Sequence, residues 1–109
     1  MSTYLFIESR DPFESRDTTF VAETAASLKS LGHTVTVFLV QNGVLGARRL
    51  ESESYLTRMN REGVVILADD FSLSERGIQP AELAPGIQPS NIAWLVEALV
   101  QANTKAIWH

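Results

Sequence analysis

Apolar residues along this chain fall into two patterns: short unbroken runs, and longer stretches where they return at helical spacing. The run TYLFIE (3–8) mixes β-branched and aromatic residues and ends at polar ones, which predicts a strand. HTVTVFLV (33–40) predicts a second, with Val35, Val37 and Leu39 on one face and Thr34, Thr36, Phe38 and Val40 on the other. VVILA (64–68) is apolar on both faces, the pattern of a strand central in a parallel sheet, and Asp69 and Asp70 end it. Residues 105–108 read as a short final strand.

Helical spacing fills the gaps. A polar loop over 9–16 contains Pro12, which discourages helix at the residue before it. Asp17 or Thr18 then caps a helix whose inward stripe is Phe20, Val21, Thr24, Ala25, Leu28 and Leu31, closed at Gly32. Gln41, Asn42 and Gly43 form a turn, followed by a short apolar helix start at Val44, Leu45 and Ala47. Ser52 caps a further helix that turns Tyr55, Leu56 and Met59 inward and stops at Gly63. One or two helical turns over 71–76 close at Gly77. Three prolines and a Pro85-Gly86 turn make 79–89 mostly loop. Ser90 caps the last helix, with Ile92, Leu95, Val96, Leu99 and Val100 as its stripe and Trp94 beside it.

Strand, helix and strand within about forty residues is a βαβ unit, which requires parallel strands. The expected architecture is a single α/β domain over residues 1–109, three layers deep (α/β/α). Its mainly parallel sheet has four to five strands in a flavodoxin-like order of 2-1-3-4. In such sheets functional groups gather beyond the carboxyl ends of the strands. Those ends carry residues 8–11, 41–43 and 69–72.

Composition narrows the chemistry. The chain has 109 residues, 45% hydrophobic and 20% charged, enough for a core without metal or disulfide staples. A net charge of −4 argues against nucleic acid, whose binders present basic surfaces. Apolar runs fall far short of the roughly 20 residues that a membrane helix needs, and no signal-like segment opens the chain. A cytoplasmic protein is expected. No cysteine is present, so cysteine-dependent catalysis is excluded. Neither His33 nor His109 lies in an evident Ser-His-Asp or metal-ligand pattern, and Ser72 and Ser74 have no sequence-identified base. The expectation is no catalytic residue, no metal and no cofactor. Arg48, Arg49, Arg58 and Arg61 form a local basic cluster, either a solvated helix face or a docking patch.

Several segments taken in order resemble the DsrE/DsrF-like family, which includes the YchN-like proteins and sulfur-relay subunits. They are the first strand with its polar loop and amphipathic helix, then Gly32, His33, Thr34 and Val35, then Phe38 through Asn42, Gly43 and Val44. The last is Gly63, Val64, Val65 and Ile66 leading through Asp69 to Arg76, Gly77 and Ile78. The resemblance implies a parallel α/β domain that assembles into dimers, trimers or hexamers. It also implies a persulfide-carrying cysteine after the third strand; counting back from Arg76 and Gly77, that position falls on Asp69, or on Asp70 in a register one residue later. A carboxylate shares the thiolate's preference for a helix start but cannot form a persulfide. Asp69 and Asp70 otherwise read as helix caps, as ligands of a hard cation, or as a phosphoacceptor pair.

The expected role is a non-catalytic homo-oligomer or accessory subunit of sulfur relay, with a small-molecule or anion-binding module as the alternative. The candidate pocket is Asp69, Asp70, Arg76, Gly77, Asn42, Gly43 and Arg10. Candidate interface residues are Trp94, Trp108, Arg48 and Arg49, because aromatic side chains concentrate at interface centres. For Trp94, partial burial in the core is the competing reading.

Overall fold

The computed structural model describes residues 2–11, 18–49 and 54–109. Five strands form one sheet: β1 (Thr3–Glu8), β2 (Thr34–Leu39), β3 (Val65–Asp69), β4 (Ile87–Ser90) and β5 (Thr104–Trp108). All four pairings are parallel and the spatial order is β4-β3-β2-β1-β5. The parallel α/β class follows the sequence pattern, but the strand order does not. The expected order put the first strand between the second and third; here the chain steps outward from β1 through β2 and β3 to β4, then returns to place β5 on the far side of β1. Local patterning sets which segments become strands, and it leaves open which neighbour each one takes.

β4 lies in the stretch expected to be loop. It pairs only with β3, and Pro89 is tolerated because an edge strand has one side whose amides need no partner. β3 is therefore an interior strand, while β2 holds the middle position.

The helices are α1 (Thr18–Ser30), α2 (Tyr55–Arg61), α3 (Asp70–Glu75) and α4 (Ile92–Leu99), with 3₁₀ turns at Gln41–Ala47 and Pro80–Glu82. Thr18 is the first helical residue of α1; Asp17 and Pro12 lie outside the described residues, as does Ser52. Ser54 caps α2 in a capping box with Thr57. In α4 the cap is Asn91, whose Oδ1 accepts the Trp94 amide, and Ser90 ends β4 instead.

The two sheet faces are covered unequally. On one, Val21 and Ala25 of α1, Leu56 and Met59 of α2 and Leu73 of α3 join Phe6, Val35, Val37, Leu39, Ile66 and Ala68 in the main core. On the other, α4 alone brings Leu95 and Ala98 against Leu5, Ile7, Phe38, Val40 and Leu67. The expected inward stripes are partly displaced: Phe20 and Leu31 of the first helix are exposed, as are Ile92, Val96, Leu99 and Val100 around α4. Trp94 stacks flat on Phe38 with ring centres 5.7 Å apart. An eight-residue helix that is apolar at every position but Glu97 buries only the side turned to the sheet.

Candidate functional site

The carboxyl ends of the five strands form one edge, and the two buried carboxylates among the described residues, Glu8 and Asp69, both stand on it. Each ends a strand, and each is held in a different way.

Asp69 ends β3 and caps α3. Its Oδ2 accepts the Ser72 amide at 3.0 Å and the Ser72 hydroxyl at 2.7 Å. Ser72 Oγ in turn accepts the Gln41 amide at 2.9 Å, which ties the tip of β2 to that of β3. That bond helps hold Gln41 at φ 51, a left-handed conformation uncommon for a side-chain-bearing residue. Asp69 Oδ1 is buried without a hydrogen-bond partner.

Arg76 follows α3 and reaches back across the same corner. Its Nε and Nη2 donate to Asn42 Oδ1 at 3.3 and 3.0 Å, and its Nη1 donates to the Ser72 carbonyl at 3.3 Å. The structure thus gathers Asp69, Asn42 and Arg76 into one hydrogen-bonded corner. Asp70 and Gly77 fall outside it and line a hollow of ≈ 250 Å³ with Leu73, Ile78, Pro80 and Pro89. Gly77 has a positive φ of 67, a turn requirement in its own right.

Glu8 ends β1, two residues after Phe6, and so points to the same sheet face as that core ring. His109 stands two residues beyond Ile107 and points the same way. The β1–β5 register, Phe6 beside Ile107 and Ile7 beside Trp108, brings the two side chains together. His109 Nδ1 lies 2.7 and 3.0 Å from the two carboxylate oxygens. The Ser9 amide and hydroxyl both donate to the His109 carbonyl, at 2.8 and 2.9 Å, closing the pair. Burial raises the Glu8 pKa above its ordinary value, against the lowering effect of His109 and of the Arg10 and Ser9 amides. Arg10 therefore meets this tip through its backbone, while its residue as a whole is exposed.

Two groups complete the surroundings. The Tyr55 hydroxyl is buried without a partner, and burial together with the nearby Glu8 and Asp11 pushes its pKa up. Gly43 runs so close over the tip of β1 that a Cβ there would collide with the Glu8 carbonyl oxygen, so a side chain is excluded on steric grounds.

Sequence reasoning placed Glu8 at a strand end but offered it no role, and it set His109 aside. One signal was available: an acidic residue on the inward parity of Phe6, at the end of an apolar run, must find a partner or lose its charge. Its partner lies 101 residues away and could not be read locally.

Among the interface candidates, Trp108 is exposed and Trp94 lies at the margin between its Phe38 stack and solvent. Arg48 and Arg49 are exposed beside Glu82, on a segment held by the Arg48–Leu83 bridge and by the Arg49 amide bonded to the Glu82 carbonyl at 2.7 Å. Among the described residues no helix is long and apolar enough to cross a membrane.

Comparison with known proteins places this geometry. A model of the DsrE/DsrF-like family matches residues 2–105. The ychN protein from E. coli superposes with a TM-score of 0.83 at 14% identity, covering 100% of both chains. MTH1491 from Methanobacterium thermoautotrophicum, a protein of unknown function, superposes with a TM-score of 0.79 at 18% identity, covering 98% of this chain and 97% of its own. No curated protein matches the sequence. At these identities the two structures share the fold.

Proposed function

Because the chain belongs to the DsrE/DsrF-like family, we propose that it is a subunit without persulfide chemistry, working as a non-catalytic homo-oligomer or accessory component of an intracellular sulfur relay. The observation that carries this reading is the corner at the tip of β3. In family members that carry sulfur, the reactive cysteine is expected where Asp69 stands, or Asp70 in a register one residue later, and here Asp69 is a helix cap tied to Ser72. Arg76 beside it is already engaged by Asn42 and the Ser72 carbonyl. The corner has a carboxylate at that place and no sulfur nucleophile.

The outer side of α4 supports the assembly part of the proposal. Ile92, Val96 and Leu99 of α4 are exposed together with Val100 at its C-cap, and Trp108 is exposed nearby in sequence. Apolar residues grouped in this way mark contact surfaces more often than isolated ones do. The proposed interface is this face, with a second copy of the chain or a related cysteine-bearing subunit against it.

Light scattering on the purified chain is expected to give a mass above that of one copy, falling towards the monomer in a Val96→Asp, Leu99→Asp double variant that stays folded. Affinity capture from native cells, with and without reductant, is expected to retain a cysteine-bearing sulfur-transfer protein. A monomer that repeatedly captures no such partner overturns the reading.

Small-molecule binding at the same edge is the second reading, and one observation favours it: Asp69 Oδ1 is buried and unpartnered, an acceptor facing no donor. The engagement of Arg76 by Asn42 weighs against the anion-binding form. Thermal shift with phosphate, sulfur oxyanions, nucleotides and divalent metals separates the readings, because a ligand-dependent rise lost in Asp69→Ala belongs to binding alone.

A further inference from the structure

The two histidines of this chain are held in opposite proton arrangements. His33 Nδ1 accepts the Ser2 amide at 3.1 Å, so a neutral His33 ring carries its proton on Nε2. His109 Nδ1 lies within 3.0 Å of both Glu8 oxygens, and an ionised carboxylate can only accept. The proton of a neutral His109 ring therefore sits on Nδ1, and Nε2 keeps its lone pair.

Access to the two members of the pair differs. The Glu8 side chain is 0% exposed and that of His109 16%, so the carboxylate is sealed behind a ring whose edge remains reachable. Both hydrogen bonds of the ring to described side chains go through Nδ1. Around Glu8 stand the Ser9 and Arg10 amides and, on its other side, the Tyr55 hydroxyl, buried with no partner. Nothing in the sulfur-relay proposal uses this end of the edge.

We propose that Glu8 and His109 form a proton-accepting site, in which Glu8 is the positioning residue and Nε2 of His109 takes the proton of a hydroxyl or thiol on a small neutral ligand. The ligand's X–H bond breaks, its electron pair stays on oxygen or sulfur, and the new imidazolium is stabilised by the Glu8 carboxylate. A neutral ligand is favoured over an anion because the Glu8 carboxylate already places negative charge behind the ring.

Long-range ¹H–¹⁵N correlation on the labelled wild-type protein tests the arrangement without any substitution. The expected result is an Nδ1-protonated neutral His109 beside an Nε2-protonated neutral His33; an Nε2-protonated His109 overturns the proposal. Diethyl pyrocarbonate then probes the lone pair, with modified residues followed by mass spectrometry. His109 is expected to react faster than His33, and Glu8→Gln to slow His109 several-fold while leaving His33 unchanged; equal rates in the two proteins overturn it. With water as the proton donor, hydrolysis of p-nitrophenyl acetate is expected to fall several-fold in His109→Gln and to stay unchanged in His33→Gln. No loss in His109→Gln refutes the proton-accepting role.

Discussion

The tips of β1 and β3 each bury a carboxylate and answer it by opposite means. At β3, Asp69 is satisfied by Ser72, three residues on, within the helix that Asp69 itself begins. At β1, Glu8 is satisfied by His109, across the strand pair that joins the two ends of the described chain. A local cap forms with its helix and is sound wherever that helix forms. A pair spanning 101 residues exists only once β5 has docked, so it reports on the whole sheet. The same residue class thus serves as a turn element at one tip and as a clasp at the other.

Removing the clasp should have the largest effect. His109→Ala leaves Glu8 buried with only its backbone donors and is expected to destabilise the fold by about 3 kcal/mol, read from urea unfolding. Removing the cap should cost less: Asp69→Ala forfeits the bonds to Ser72 and is expected to lose about 1 kcal/mol in the same measurement. A larger loss for Asp69→Ala than for His109→Ala would reverse the comparison.

The smallest effect is one of pH. Burial raises the folded-state pKa of Glu8 above its unfolded value, so its favourable contribution is complete below about pH 4.5 and is lost as pH climbs through the raised value. Glu8→Gln removes that dependence. The difference in Tm, variant minus wild type, is expected to grow from pH 4 to pH 7 in calorimetry. A difference that stays flat or shrinks over that range would mean that His109 and the neighbouring amides outweigh desolvation.

Much of the β3 tip was legible before any coordinates. An acid after an apolar run, followed by a few helical residues and a glycine, is a capping arrangement written within nine positions, 69–77. The pairing of Arg76 with Asn42 was not written there, although both residues had been named as candidates for the same pocket. The β1 tip was half legible: parity with Phe6 was there to put Glu8 on the core face and was not used, and its partner depended on which strand lies beside β1. The expected order gave the place that β5 takes to the third strand.

The sequence by itself determined the elements with an unbroken apolar run or a clear period: β1, β2, β3, the body of α1, and the parallel class that a βαβ succession imposes. It also determined that no thiol chemistry can occur in this chain. Tertiary structure alone decided the strand order, the edge strand around Pro89, the exposure of most of α4, and the meeting of Glu8 with His109. The physical reason is range. Periodicity, caps and turns are set by neighbours a few residues apart, whereas the neighbours of a strand, and what remains uncovered beside it, follow from the packing of the whole sheet.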